Sequence, residues 1–392
     1  MADPIDSFVA TLDEMLRFLD SYKDSLFYVD INPGTPPAGA RQFEITTFAP
    51  SVAARVISEA HPGPGVPRLT PGAKTMIDAA APPFAVGMNI QPKGGFGLPQ
   101  ADPNIAKFDW VRFPMVAYPG AFPQPTLDAA FAFYDPIISA YHRAGNKILL
   151  VLTAELYGAG SHYNLGNMSA VQWVSYSQDY ARVLEQVVRR YSTQIHGYEI
   201  WNEGDVQPGN PSAIAFPPRD FAPFLDKMAQ IIKAYAPQAK TVLGGLVTGA
   251  DNGVKYLREV KAVLGGRLPV DAVGIHAYGK GAPLDDTVFS QLGNIADDIR
   301  ILKQEVPNHP LWLTEMGALG ANTPEYGVIA SQYARNLYTY IRQEHAKDVP
   351  VVIWYAWSDA MDAASRTNGL IAVDGQKKPL YDVFFGELLR KT

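Results

Sequence analysis

Two glutamates of this sequence could act together on a bond to oxygen. Glu203 ends the phrase Trp201-Asn202-Glu203 and Glu315 ends the phrase Thr314-Glu315, and each phrase closes a short apolar run. Cleavage of a glycosidic bond needs such a pair of carboxyl groups, because one donates a proton to the leaving oxygen while the other stays ionised. The two positions therefore predict sugar chemistry, provided that the fold brings the carboxyl groups together.

Other side chains that could hold a sugar follow further apolar runs in the same way. They are Arg112, His276, Tyr278 and Trp357. The flat ring of a tryptophan favours the C–H faces of a sugar. Glu199 shares a strand face with Glu203, so we expect it to point into the fold and to pair with a cation such as Arg112. Whether Arg112 is only that partner or also binds substrate is left open.

The elements that must position these residues form a regular alternation from about Pro83 onward. Eight apolar or β-branched runs are separated by helical patterns, of which one is capped by Ser169 with Gln172 three residues later. Another helix is predicted to begin at Thr323-Pro324. The runs are 84–90, 108–115, 147–154, 197–201, 241–247, 271–278, 311–315 and 351–357.

This alternation predicts an α/β chain with a (β/α)8 TIM barrel over residues 81–392, since eight such units span roughly 250 to 300 residues. A doubly wound open sheet is the alternative. It would normally carry a Gly-rich phosphate turn after an early strand, and no GxGxxG or GxxxxGKS/T phrase is present.

A barrel gives the two glutamates a defined relation to each other. Barrel enzymes carry their catalytic residues at the carboxyl ends of the strands. Glu203 and Glu315 end the fourth and the seventh runs, so we expect them to face each other across the barrel mouth. A separation of about 5 Å is feasible there and is typical of retaining glycosidases, whereas the carboxyl groups of inverting enzymes lie farther apart.

Trp201-Asn202-Glu203 followed by Thr314-Glu315 resembles glycoside hydrolase clan A, whose members carry Asn-Glu after strand 4 and a second Glu after strand 7. The resemblance extends from about Pro83 to the C-terminus, where Lys378-Pro379 is similar to the clan's common ending. It implies that Glu203 is the acid/base and Glu315 the nucleophile, hydrogen-bonded by Tyr278. The substrate-binding residues that it implies are Arg112, Trp201, Asn202, His276, Tyr278 and Trp357, with Asn202 on the sugar 2-hydroxyl.

Families 39 and 5 of the clan are the two candidates, and the phrase Glu-Ile-Trp-Asn-Glu favours family 39. Gly204-Asp205 and Met316-Gly317 depart from the residues that commonly follow the two glutamates. The substrate class is therefore left open. We expect an extended β-linked poly- or oligosaccharide that is cut within the chain, because aromatic residues are predicted near the barrel mouth. They are Trp110, Tyr157, Tyr163, Tyr278 and Trp357.

Composition excludes several other classes of protein. The net charge is −6 and no cluster of Lys or Arg stands out, so nucleic acid is not an expected partner. No stretch approaches the roughly 20 apolar residues of a membrane span. The chain has no cysteine, and its seven histidines show no HxH or HExxH spacing, so we expect neither a metal nor an organic cofactor. The oligomeric state is left open.

The first 80 residues differ from the rest and are predicted to be an extension that packs on the barrel. Asp3-Pro4 predicts a helix start, residues 42–48 alternate like a strand, and residues 61–72 are rich in Pro and Gly. No signal peptide follows Met1, which fits either a chain without a standard export signal or one whose signal has been removed. We favour an extracellular location.

Two other functions remain as alternatives. A carbohydrate-binding barrel without catalytic activity would lack one of the glutamates, and both are present. A transglycosylase would use the same two glutamates, because water and a sugar compete for one covalent intermediate. Glu155 and Tyr157 are predicted on the mouth side as well, where we expect them to serve mainly the structure of a loop.

Overall fold

The computed structural model describes residues 44–48, 51–55, 85–93, 102–117, 127–158, 163–210, 213–278, 295–318, 324–361 and 368–389. The chain divides into two compact units, Met1–Ile77 and Asp78–Thr392. In the first unit, β1 (Glu44–Phe48) pairs antiparallel with β2 (Ser51–Arg55). The strand predicted at 42–48 is confirmed over its last five residues. The helix predicted after Pro4 and the loop predicted at 61–72 lie outside the described residues, and packing of the extension on the barrel stays a prediction.

Eight parallel strands of the second unit close into a barrel. Each pairs with the next strand in the chain, and the last returns to the first with Val351 opposite Ala85. The TIM barrel is therefore confirmed, and closure excludes the open sheet. The strands are β3 (Ala85–Asn89), β4 (Trp110–Pro114), β5 (Lys147–Leu152), β6 (Gly197–Ile200), β7 (Lys240–Leu246), β8 (Ala272–His276), β9 (Leu311–Met316) and β10 (Val351–Trp354).

Helices alternate with these strands, and among the described residues none is long and apolar enough to cross a bilayer. At the start of α2 the Ser169 side chain accepts from the Gln172 amide while the Gln172 side chain accepts from the Ser169 amide, as predicted. The helices are α1 (Leu127–Arg143), α2 (Ala170–Tyr191), α3 (Pro218–Tyr235), α4 (Ala250–Val263), α5 (Ile295–Glu305), α6 (Pro324–Tyr340) and α7 (Pro379–Val383).

The inside of the barrel is apolar at the amino ends of its strands and polar at the carboxyl ends. The apolar layer consists of Trp110, Leu149, Val242, Ala272, Trp312, Val351 and Ile353. Because side chains on a strand alternate between its faces, residues two or four positions further along point inward again. There the sequence places buried polar residues, which are Asn89, Arg112, Glu199, His276 and Thr314. The barrel therefore carries its polar groups next to the mouth.

This alternation corrects the prediction for Trp110, which we expected near the mouth. Trp110 is the first residue of β4, and its ring centroid lies 5.0 Å from that of Trp312 in the apolar layer. Arg112 occupies the inward position two residues later, about 7 Å nearer to the mouth. Trp110 thus fills the closed end of the barrel and is not available as a platform for a sugar.

Candidate active site

Arg112 lies at the centre of a buried hydrogen-bond network. Its Nε donates to Glu199 Oε2 at 2.6 Å, which confirms the predicted pairing, and its Nη1 donates to Glu315 Oε1 at 2.5 Å. Nη1 also donates to Asn89 Oδ1, and Nη2 donates to Asn202 Oδ1, both at 2.8 Å. Because a guanidinium is planar and presents its donors in fixed directions, this one side chain aligns groups from the ends of β3, β6 and β9.

Glu199 is fully buried, and both of its carboxylate oxygens accept hydrogen bonds. Besides Arg112, the Thr314 hydroxyl and the Gly245 amide donate to Glu199 Oε1 at 2.9 and 3.0 Å. Burial by itself raises the pKa of Glu199, but the charge of Arg112 and the hydrogen bonds outweigh burial and lower the pKa to about 2. Glu199 is therefore a permanent anion that holds Arg112 in place.

Glu315 lies on β9 with both carboxylate oxygens occupied by donors. Arg112 donates to Oε1, and the hydroxyl of Tyr278 donates to Oε2, as the resemblance implied. Burial raises the pKa of Glu315, whereas the charges of His276 and Arg112 and the Tyr278 hydrogen bond lower it, and the net direction is downward. The site thus keeps Glu315 ionised, which is the state that a nucleophile needs.

His276 links the two glutamates. Its Nδ1 lies 2.7 Å from Glu203 Oε1 and 3.7 Å from Glu315 Oε2, and its Nε2 lies 3.1 Å from Thr314 Oγ1. Burial lowers the pKa of His276, but the charge of Glu315 and the polar contacts with Glu199 and Glu203 raise it to about 10. The ring is therefore an imidazolium at neutral pH. Its side chain has no exposed surface, so His276 contacts Glu203 and does not line a sugar site as predicted.

Space for this imidazole depends on glycine. A Cβ on Gly245 would lie 2.0 Å from His276 Nε2, and a Cβ on Gly244 would lie 2.3 Å from the carbonyl oxygen of Trp201. Both separations are far below van der Waals contact. The Gly-Gly pair of β7 therefore lets the strand pass beside His276 and beside the turn that carries Glu203.

That turn has an unusual backbone, because Trp201 and Glu203 have φ angles of 72° and 52°. A left-handed conformation costs a residue other than glycine roughly 1–2 kcal/mol, so the surroundings must hold it. The Trp201 indole donates to the Ile214 carbonyl at 3.0 Å, and the Glu203 amide donates to the Gly245 carbonyl at 3.2 Å. Trp201 is 2% exposed and its ring anchors this turn, while the residue also lines a cavity, so its predicted role in substrate binding stays a prediction.

Two neighbouring cavities open at the carboxyl ends of the strands. The first has a volume of about 140 Å³ and is lined by residues that include Asn89, Arg112, Glu155, Asn202, Glu315 and Tyr355. The second has a volume of about 310 Å³ and is lined by Thr153, Ala154, Glu155, Trp201, Asn202, Asn210, Ala213 and Ile214. Thr153, Glu155 and Asn202 belong to both linings, so the two cavities adjoin one another.

The structure brings together most, but not all, of the predicted site residues. Trp357 is 2% exposed, and its ring packs 6.1 Å from Tyr381 and 6.3 Å from Phe385. Its predicted place as a platform for the sugar is therefore not supported. Tyr355 lines the first cavity, and Trp357 does not. Tyr355 points inward because it lies two residues beyond Ile353, an inward-facing residue of β10. The same alternation along β3, from Ala85 to Asn89, would have identified Asn89, which the sequence analysis missed.

The site also bears on the prediction that no metal is bound. Glu203, His276 and Glu315 each offer a ligand atom, and these atoms lie within 4.8 Å of one another. Arg112 and Tyr278 already donate to both oxygens of Glu315, and the raised pKa of His276 keeps a proton on the nitrogen that faces Glu203. A divalent cation would have to displace these donors, so the group fits a metal poorly. Independence from metals stays a prediction.

Comparisons with known proteins identify the fold. No family model and no curated protein match the sequence. A family 39 glycoside hydrolase from the gut symbiont Bacteroides cellulosilyticus has a TM-score of 0.56 at 20% identity, over 87% of this chain and 68% of that chain. An intracellular xylanase from Thermoanaerobacterium saccharolyticum, solved with xylotriose, has a TM-score of 0.55 at 15% identity, over 76% and 94% of the two chains.

A third structure extends this likeness. Xylanase A from P. fluorescens subsp. cellulosa, solved with xylopentaose, has a TM-score of 0.55 at 14% identity, over 78% of this chain and 97% of that chain. Identities this low establish the fold alone. The likeness to clan A glycoside hydrolases that the motifs indicated is confirmed at that level.

Proposed function

We propose that this chain is a retaining glycoside hydrolase in which Glu315 is the nucleophile and Glu203 the acid/base. The observation that carries the proposal is that a carboxylate oxygen of Glu203 and one of Glu315 lie within 4.8 Å of each other. Retaining enzymes hold their carboxyl groups about 5–5.5 Å apart, whereas inverting enzymes need about 6.5–9.5 Å to admit a water. The family 39 enzyme and the xylanases that share the fold support the same reaction class.

In the first step Glu315 attacks the anomeric carbon and the bond to the leaving oxygen breaks. The leaving oxygen takes a proton from Glu203. Glu203 gives that proton from Oε2, and the imidazolium of His276, 2.7 Å away, passes its Nδ1 proton to Oε1, so Glu203 ends the step protonated on Oε1. The products of this step are a glycosyl ester on Glu315, a neutral His276 and the released alcohol.

In the second step water replaces Glu315 on the sugar. Esterification has removed the negative charge of Glu315, which is the largest of the charges that raise the pKa of His276. The imidazole therefore stays neutral at this stage, and Glu203 keeps on Oε1 the proton that it took from His276. As water attacks, Oε2 of Glu203 takes a proton from it, the Oε1 proton passes back to His276, and cleavage of the ester restores the anion of Glu315. A sugar in place of water would give the transglycosylase alternative.

The substrate that we propose is a β-linked poly- or oligosaccharide that is cut within its chain. Two adjoining cavities that share Glu155 and Asn202 suit a ligand of more than one ring. The xylanases with this fold were solved with xylotriose and xylopentaose, which makes β-1,4-xylan the first polymer to test.

The test is a panel of β-xylan, β-glucan, β-mannan and aryl glycosides, with Glu315→Gln as the inactive control. We expect one substrate class to be turned over by the wild type only, and a 2-fluoro glycoside to label Glu315. Labelling of another carboxylate, or product of inverted configuration, would contradict the assignment. Binding without turnover would favour the carbohydrate-binding alternative. Release of monosaccharide alone from the earliest time point would refute internal cleavage.

A further inference from the structure

A third carboxyl group, that of Glu155, lies at the boundary between the two cavities. It follows β5, and its neighbours Ala154 and Leu156 are buried in the core, whereas Glu155 is half-buried. Its backbone is fixed on both sides, because its amide donates to Thr153 Oγ1 at 3.1 Å and its carbonyl accepts from the Ala117 amide at 2.8 Å. The side chain is thus presented to the cleft from a fixed position.

Glu155 differs from the other acidic groups of the site in its partners. Glu199 and Glu315 both receive hydrogen bonds from Arg112. In the described part of the chain no arginine, lysine or histidine acts on Glu155, whose pKa is raised by burial and lowered only by a hydrogen bond with Thr153. Partly burying a carboxylate without a cation is unfavourable, so a group with this environment is suited to meeting its hydrogen-bond donors in a ligand.

The second cavity is built like a site for a sugar ring. Ala154, Ala213 and Ile214 give it an apolar wall, and Glu155, Asn202 and Asn210 give it polar groups. A sugar has the same division, with apolar C–H faces and a rim of hydroxyl groups. The volume of about 310 Å³ falls at the lower end of the roughly 300–1,000 Å³ found for small-molecule sites.

We propose that Glu155 determines specificity by accepting hydrogen bonds from the hydroxyl groups of a neutral sugar ring in the second cavity and by repelling a ring that carries a carboxylate. This inference rests on the glycoside hydrolase activity proposed above and deepens it. The reacting ring lies in the first cavity against Arg112 and Glu315, and Glu155 holds its neighbour. Like charges brought together in a partly buried site oppose binding, which gives the discrimination a direct electrostatic cause.

The first experiment measures binding without turnover, in protein that carries Glu315→Gln. The probes are xylotriose, cellotriose and xylotriose with a glucuronic acid branch. We expect a neutral trisaccharide to bind, and addition of Glu155→Gln to weaken its binding about 10-fold, since a hydrogen bond to a charged group is stronger than one to a neutral amide. Glu155→Gln should also bring the affinity for the branched probe, which carries a carboxylate, closer to the affinity for xylotriose. The control is Glu259→Gln, which removes an exposed carboxylate of α4 that lines neither cavity.

The second experiment compares substrates of different length in protein with intact Glu315. Glu155→Gln should lower kcat/KM for the trisaccharide about 10-fold and lower kcat/KM for 4-nitrophenyl β-xyloside by a smaller factor, because that substrate has only one sugar ring. If Glu155→Gln fails to fold, Ala213→Leu carries the test, since it fills the second cavity and should produce the same dependence on length.

Equal losses on both substrates, unchanged discrimination against the acidic probe, or no binding of either neutral trisaccharide would overturn the proposal. A chain that binds as expected but never hydrolyses would leave the role of Glu155 standing and would overturn the proposed function instead.

Discussion

Replacement of Glu199 by Gln tests whether the buried ion pair beneath the site is as strong as its geometry indicates. The carboxylate accepts from Arg112, Thr314 and Gly245 and has no exposed surface. Glutamine has the same size but offers one acceptor oxygen, and its NH₂ group would face a donor. The variant therefore leaves Arg112 without one of its two anions and leaves at least one buried donor unsatisfied.

The magnitude follows from the pKa of Glu199, which is about 2 in the folded protein against 4.5 for an ordinary glutamate. Because the folded value is the lower one, the ionised group stabilises the fold, and the contribution is present above pH 4.5 and lost as the pH falls toward 2. That difference corresponds to roughly 3 kcal/mol of unfolding free energy, and breaking a buried ion pair typically costs about 3–5 kcal/mol.

Urea unfolding followed by tryptophan fluorescence gives the measurement. All six tryptophans lie in the unit that contains the barrel, so the signal reports that unit. We expect the wild type to exceed Glu199→Gln by roughly 3 kcal/mol at pH 7, with the gap closing as the pH falls below 4.5. Glu259→Gln, at an exposed position of α4, is the control and should follow the wild type. A gap that stays constant between pH 7 and pH 3 would refute the reasoning, because it would show that the charge of Glu199 contributes nothing to the fold.

Three further predictions concern the reaction. Tyr278→Phe removes a hydrogen bond that lowers the pKa of Glu315. The pKa of Glu315 should therefore rise, so the acidic limb of the kcat/KM profile should move to higher pH and kcat/KM should fall about 10-fold. An acidic limb that does not move would argue against this role of Tyr278. Gly245→Ala should displace the His276 imidazole and lower kcat by about 100-fold or more, whereas Gly386→Ala, where a Cβ meets nothing within 4 Å, should be neutral. Full activity of the Gly245 variant would show that the imidazole position does not matter. Activity should survive exhaustive chelation, and a loss that only added metal restores would show that Glu203, His276 and Glu315 bind a cation.

Local patterns in the sequence were sufficient for the barrel and for the two glutamates. Runs of apolar residues separated by helical stripes define strands and helices through their period, and such units close in only a few ways. The carboxyl ends of the strands follow from the same runs. Glu203 and Glu315 could therefore be assigned to the mouth, and the period of two placed Glu199 on the inward face, where it meets Arg112.

The aromatic residues show where this reasoning stops. Trp110, Trp201 and Trp357 all lie near the ends of predicted strands, yet the first fills the closed end of the barrel, the second anchors a turn and the third packs on Tyr381. A run of apolar residues does not reveal its exact end, and an error of one residue reverses the face on which a side chain lies. Tyr355 was missed for the same reason, whereas the alternation along β3 from Ala85 could have identified Asn89.

The sequence by itself determined the class of fold, the pair of carboxyl groups and the chemistry that such a pair can perform. Only the tertiary structure decided the charge state of the site. His276, Arg112, Glu199 and Glu315 come from four different strands, and their pKa values depend on distances of 2.5 to 3.8 Å that no local pattern encodes. The role proposed for Glu155 likewise depends on the absence of a cation beside it among the described residues. Electrostatic energies change steeply with separation and burial, so residues distant in the chain acquire their function only where the closed barrel brings them together.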